Sequence, residues 1–126
     1  MTMPHERMRS IGWGSQLLGA LQRDPSVPTE LQEEAVRLEA DYPGSQQLLQ
    51  LLADPGRAFS AVASQAIEDA RALFEKAQQL GVGGDLTRRE LLFTLRHFPS
   101  RGWGATAEEA SRLGRLDEWL APEPGW

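Results

Sequence analysis

The residues best suited to binding chemistry lie in one short basic segment, residues 86–105. Four arginines and one glutamate give it a charge of +3, in a chain whose net charge is −5. Arginine pairs with carboxylates and phosphates, and an accessible tryptophan can fill a partner's pocket or stack on a base. The segment therefore predicts a partner- or anion-binding surface. Its candidate residues are Arg88, Arg89, Arg96, His97, Arg101 and Trp103.

Catalytic and metal-binding residue types are scarce. The chain has no cysteine and two histidines, His5 and His97, and lacks any His-Glu-x-x-His, Glu-x-x-His or EF-hand pattern. Neighbouring carboxylates such as Glu33 and Glu34 diverge by about 100° on a helix, so they do not converge on one substrate. His97 falls in the last turn of its predicted helix, where the dipole favours a cation, which indicates a structural role. We expect no catalytic residue, no metal, no cofactor and no enzyme activity.

The composition predicts an all-α fold to position these residues. Leu and Ala together number 33, against six Val and Ile, and this balance favours helices over strands. We expect a compact bundle of five to six helices forming a single domain over residues 1–126. A division into two related helix-loop-helix halves, residues 1–55 and 56–126, stays open.

Capping boxes and apolar spacing locate the helices. Ser/Thr-x-x-Glu/Gln patterns beginning at Thr29, Thr87 and Thr106 predict three helix starts. In the second of these helices we expect the leucines to point inward, and the last helix is expected to run on to the Ala-Pro at 121–122. A helix at 45–53, apolar nearly all round, is expected to be buried on more than one side. The inward leucines of the second helix are Leu91, Leu92 and Leu95.

Residues 58–80 give the strongest helical periodicity, with apolar side chains at three- and four-residue steps through six turns. The favoured interpretation is the central core helix of the bundle. The alternative is a homodimer through the same stripe, whose small alanines permit close helix approach.

Gly-Trp-Gly occurs at 12–14 and again at 102–104, and Gly125-Trp126 ends the given sequence. At 12–14 the glycines allow either a helix starting at Ser15 or one long helix over 4–23 that packs closely at the glycines. Flanking glycines suit an accessible tryptophan, which makes Trp13 a secondary contact candidate; the alternative is that each indole fills a gap between helix ends.

The first 55 residues carry a recognisable series of short motifs: Met-Thr-Met-Pro-His-Glu-Arg-Met-Arg at 1–9, Leu17-Leu18, Val27-Pro28, and Ala35, Leu38 and Tyr42-Pro43. This series resembles a group of short, uncharacterised proteobacterial proteins with the pattern M-T-x-P-x-E-R-x-R, V-P and L-x-R-(H)-Y-P. The resemblance implies a small helical fold and brings no activity with it. The chain departs from the pattern at 39–43, where it reads Glu-Ala-Asp-Tyr-Pro and lacks the basic residues of the family. A basic sequence of that kind, Leu-Arg-His-Phe-Pro, stands instead at 95–99. Both places close a predicted helix with an aromatic residue followed by proline. Either an internal duplication or the independent use of the same helix-ending residues explains this.

These observations favour a non-catalytic protein–protein interaction or regulatory module of a bacterium. Twelve of the 13 basic residues are Arg, a bias that fits a GC-rich bacterial genome. We expect a cytoplasmic protein with an unidentified protein partner, one candidate being a second copy through 58–80, and no membrane. The alternative is a small dimeric DNA-binding regulator using residues 86–105. Nucleic acid is disfavoured because the net charge is negative, the following helix is acidic, and a loop over 99–105 is too long for a helix-turn-helix.

Overall fold

The computed structural model describes residues 2–54 and 59–122, and this part of the chain forms helices and no strands. The prediction of an all-α bundle is confirmed. No helix in the described part combines the length and apolar character needed to cross a bilayer. The elements are α1 (Pro4–Arg23), α2 (Thr29–Asp41), α3 (Ser45–Ala53), α4 (Ala61–Leu80), α5 (Asp85–His97), α6 (Trp103–Arg112) and a 3₁₀ turn (Leu116–Glu118).

Four helices form the body of the molecule. α1 packs against α2 and α5, and α4 packs against the same two helices. α2 and α5 therefore lie on opposite sides of the α1–α4 pair. One apolar core runs through all of them, drawing on residues from Met8 to Leu120, with Ile11, Leu21, Ile67 and Phe74 fully buried.

α1 is continuous through Gly12, Trp13 and Gly14, so the long-helix alternative is correct. At position 14 a Cβ atom would overlap the Tyr42 hydroxyl oxygen and would lie 3.0 Å from Cε1 of Phe98. The Tyr42 hydroxyl donates to the Ile11 carbonyl at 2.5 Å, and burial raises the pKa of this phenol well above its usual value. Gly14 is therefore the point at which the aromatic rings that follow α2 and α5 approach α1.

The predicted capping boxes at Thr87, Thr29 and Thr106 are wrong in detail. α5 begins two residues before Thr87, whose hydroxyl donates instead to Asp24 Oδ2 at 2.7 Å. The same oxygen accepts the Gly84 N–H at 2.8 Å, so a carboxylate from the end of α1 caps α5. The Thr87 and Gly84 hydrogen bonds, with one from the Ser26 N–H, lower the pKa of Asp24 to about 2.

At Thr29 the predicted helix start is correct but the side-chain cap is not present, and at Thr106 the start itself is shifted. Thr29 is the first helical residue of α2, after Pro28. α6 starts three residues before Thr106, directly after Gly102, whose φ of 81° lies in the left-handed region that favours glycine.

Most of the apolar stripe of α4 is buried within the single chain, while Val62 and Leu80 near its two ends are each 59% exposed. The helix begins at Ala61, with the Ser60 side chain as its cap, and Phe59 packs into the core ahead of it. The structure therefore agrees with the central-helix interpretation, because α2, α5 and α6 pack against this helix within the single chain. The buried members are Ala66, Ile67, Ala70, Leu73, Phe74 and Ala77.

Two further expectations about the helices fail. In α3 only Leu48 is fully buried, while Leu49, Leu51 and Leu52 are half-buried, because α3 packs mainly against α1. α6 ends at Arg112, so Leu116 enters the core from the 3₁₀ turn and Leu120 from the segment after it, rather than from a continuing helix. Gly125-Trp126 lies outside the described residues.

Candidate functional site

The candidate site is built on α5, which packs Leu91 and part of Leu95 against the core but leaves its other large apolar side chains exposed. Towards α1 and α4 it buries Leu91 together with two threonines, Thr87 and Thr94. Its opposite side exposes three large apolar side chains. These are Leu86, 68% exposed, Leu92, 61% exposed, and Phe93, 48% exposed. A surface helix normally buries its largest apolar residues, so this arrangement marks a surface with another use.

Two arginines share that exposed side. Arg89 and Arg96 are seven residues apart and point within about 20° of each other around the helix axis. Both are exposed, and neither forms an ion pair with any residue in the described ranges 2–54 and 59–122. We call Leu86, Arg89, Leu92, Phe93 and Arg96 the α5 outer face.

Arg88 and Arg101, two other predicted site residues, already have carboxylate neighbours. The Arg88 guanidinium donates to Asp85 Oδ1 at 2.7 Å, and eight-residue spacing turns Arg88 about 80° away from Arg96. Nη2 of Arg101 lies 4.0 Å from Glu75 Oε2. Both side chains stay exposed, but they stand at the border of the α5 outer face.

His97 ties the end of α5 to the start of α1. Its Nδ1 lies 3.2 Å from the Thr2 hydroxyl, and its Nε2 lies 3.0 Å from Glu6 Oε2. The Ser10 hydroxyl donates to the His97 carbonyl at 3.0 Å. The Met3 N–H, which donates to Glu6, together with the charge of His97, lowers the pKa of Glu6. His97 thus has a structural position, as its place in the last turn predicted, and contributes little free surface.

Trp103 is not a contact residue, which corrects the sequence prediction. It is 3% exposed, and its ring meets Phe59 edge-to-face with centroids 5.3 Å apart. The indole Nε1 has no hydrogen-bond acceptor among the described residues. The glycines around it serve helix approach instead, since a Cβ at Gly104 would meet the side chain of Ser64 at 3.2 Å.

Trp13 remains accessible, at 38% exposure on α1. The Arg9 guanidinium lies 5.8 Å from its ring centroid, within the range of a cation–π contact. A hollow of about 180 Å³, lined in part by Trp13, Gln16, Glu90 and Phe93, joins this ring to the α5 outer face. Trp13 therefore extends the candidate surface onto α1.

On its other border the α5 outer face meets a groove of about 500 Å³ between α4 and α5. Leu92, Phe93 and Arg96 form one wall, and Arg71 and Glu75 form the other. The far wall is held by internal bonds: Arg71 Nη1 donates to the carbonyl of Phe98 at 3.0 Å, and Nε of Arg71 lies 2.8 Å from Glu75 Oε1. The Arg71 and Glu75 side chains of this wall are thus already paired within the chain.

Known proteins offer no guide to this surface: no family model, no curated protein and no solved structure matches the chain. Its chemistry must come from the residues themselves. Within the described residues no group of three or more His, Asp or Glu side chains is arranged to hold a metal ion. What the face offers is apolar contact area and two guanidinium groups.

The apolar members of the face were missed by sequence reasoning, which placed Leu92 inside. The signal was present: Thr87, Leu91 and Thr94 lie on one side of the helix at three- and four-residue steps, and Asp24 gives Thr87 an internal partner. A helix seated on that side turns Leu86, Leu92 and Phe93 outward.

Proposed function

We propose that this chain is a non-catalytic protein–protein interaction module, and that the α5 outer face is its binding surface. One observation carries the proposal: α5 buries two threonines while it exposes three large apolar side chains beside two arginines with no carboxylate partner in the described residues. Apolar and aromatic anchors combined with arginine are the composition enriched at interface hot spots.

The chemistry of the face indicates the chemistry of its partner. Leu92 and Phe93 require apolar side chains against them, and the guanidinium groups of Arg89 and Arg96 favour carboxylates, with which arginine makes paired hydrogen bonds. The partner that fits is an acidic, amphipathic protein segment. As part of the same proposal we place the module in a bacterium, in keeping with its arginine-rich composition, and there in the cytoplasm.

Nucleic acid fits the same face less well. Trp103, the residue proposed to stack on bases, is buried. α6 packs against α4 and the 3₁₀ turn rather than pairing with α5 as a helix-turn-helix would, although the α5–α6 connection, Phe98–Gly102, is shorter than expected. Exposed Leu92 and Phe93 would also stand against a phosphate backbone, which offers them no apolar surface.

The test is affinity capture from native lysate with and without nuclease, using wild-type protein, the double variant Arg89→Glu/Arg96→Glu, and Phe93→Ser. The matched control is Arg112→Glu/Arg115→Glu, which changes the net charge equally on arginines that are 73% and 62% exposed outside α5.

We expect a nuclease-resistant protein that wild type and control recover and that both α5 variants lose. Equal recovery by all four proteins would contradict the proposal. Recovery that disappears with nuclease would support the DNA-binding alternative instead.

A further inference from the structure

The outer side of α2 carries a charge pattern complementary to that of the α5 outer face. α2 buries Leu31, Ala35 and Leu38 against α1 and α4, and exposes Val36 at 55%. Glu33 and Glu39, three residues before and after Val36, are exposed on either side of it. With five carboxylates and one arginine, Thr29–Asp41 has a charge of −4.

The spacing of the two patterns agrees. On α2 the two glutamates are six residues apart, or about 9 Å along the axis, with Val36 between them. On α5, Arg89 and Arg96 are seven residues apart, or about 10.5 Å, with Phe93 between them. Along the axis, each face thus places an apolar side chain between two like charges, and the charges of the two faces are opposite. Around the axis, the glutamates lie about 60° to either side of Val36, whereas the arginines point within about 20° of each other.

These two glutamates keep their charge available. Glu39 accepts a hydrogen bond from the neutral Gln22 amide at 2.8 Å, and Glu33 has no ion-pair partner among the described residues. The nearby cationic side chains pair with other carboxylates: Arg37 pairs with Glu34, and Lys76 lies 3.7 Å from Glu30.

We infer that the acidic segment bound by the α5 outer face is the α2 face of a second copy of this chain. The inference rests on the proposed function and names its partner. Because α2 and α5 lie on opposite sides of the α1–α4 pair, the two faces of one molecule cannot meet each other. The contact is therefore head-to-tail. Each copy contributes arginines from its α5 outer face to one neighbour and carboxylates from α2 to another, so the association is not limited to two copies.

The experiment is sedimentation equilibrium on the whole chain over a range of concentrations, at about 0.1 M and about 1 M salt, where the Debye length is about 10 Å and about 3 Å. The variants are Arg89→Glu/Arg96→Glu and Glu33→Lys/Glu39→Lys. Arg112→Glu/Arg115→Glu is the control for net charge, and far-UV circular dichroism verifies that every variant is helical.

We expect the wild-type average mass to rise steadily with concentration and the association to weaken at the higher salt. Each charge-reversed variant alone should associate about tenfold or more weakly, because like charges then face each other. An equimolar mixture of the two should associate again, since the reversed α5 face of one then opposes the reversed α2 face of the other. The control should behave as wild type.

Three outcomes would overturn the inference: a monomer at every concentration, a mass that levels off at twice the monomer, or a mixture that does not associate. None of these outcomes contradicts the proposed function. That proposal fails in the affinity-capture experiment, if wild type and the α5 variants recover the same protein partner equally.

Discussion

Replacing Gly14 by alanine tests the packing that sets the position of α1 against α2 and α5. In most helix interiors this change adds stability, about 1 kcal/mol, because alanine has the higher helix propensity. Here the added methyl group would overlap the Tyr42 hydroxyl and would press on the rings of Tyr42 and Phe98, both at 3.0 Å. We therefore expect Gly14→Ala to destabilise the protein.

The magnitude follows from two costs and one gain. Overpacking a filled site costs about 1–3 kcal/mol. Displacing the Tyr42 hydroxyl from the Ile11 carbonyl, a buried bond of 2.5 Å, adds about 1–3 kcal/mol. Subtracting about 1 kcal/mol for helix propensity leaves a loss of about 1–5 kcal/mol in the free energy of unfolding.

Urea denaturation followed by far-UV circular dichroism measures the loss. The control is Gly19→Ala in the same helix, where the nearest atom is the flexible Arg23 guanidinium at 3.0 Å; it should gain up to about 1 kcal/mol. In a Tyr42→Phe background the hydroxyl is gone, so Gly14→Ala should cost about 1–3 kcal/mol less than in wild type. The reasoning is refuted if Gly14→Ala stabilises as Gly19→Ala does, or costs the same in both backgrounds.

Three other predictions concern the core, the α1–α5 link and the α5 outer face. Phe74→Ala removes a fully buried ring and should lower the free energy of unfolding by about 3–5 kcal/mol in the same urea assay. Asp24→Asn should lower the stability of the folded protein at neutral pH. The pKa of Asp24 is about 2 in the folded protein, against 3.8 ordinarily. The stabilisation that the carboxylate provides is therefore present above pH 3.8 and is lost as the pH falls towards 2. Melting curves from pH 5 to pH 2 should therefore converge for wild type and variant, and parallel curves would contradict the role of the carboxylate. Leu92→Ser/Phe93→Ser should lower the free energy of unfolding by only about 1–2 kcal/mol, since the two side chains are 61% and 48% exposed and lose only their partial burial; a loss above about 4 kcal/mol would make them structural.

The existence and approximate bounds of the helices were predictable because periodicity is a local property of the chain. Ala66, Ile67, Ala70 and Phe74 of α4 recur at helical steps and are buried as expected, although Val62 and Leu80 at the ends of the same stripe are exposed. Helix starts were less predictable, since a cap can come from a distant residue. Thr87 had the spacing of a capping box, yet the carboxylate that caps α5 belongs to Asp24, 63 residues away in the chain.

The candidate site was predictable in its charges and not in its apolar part. Arginine is rarely buried, so the exposure of Arg89 and Arg96 followed from residue type alone. The two tryptophans could not be separated in the same way, because both lie in Gly-Trp-Gly. Only packing distinguishes them: α6 turns Trp103 towards Phe59 in the core, while Trp13 falls on the open side of α1.

The apolar surface that α5 leaves exposed is the strongest physical reason to regard this face as functional. Burial of an apolar side chain is worth about 1.5–3 kcal/mol relative to its exposure, so a helix selected for stability alone would turn Leu92 and Phe93 inward. α5 instead buries Thr87 and Thr94, and the first of these has an internal hydrogen-bond partner in Asp24. The helix is thus held in an orientation that leaves apolar surface exposed beside two arginines. A second molecule that covers this surface would bury the apolar side chains that folding leaves in contact with water.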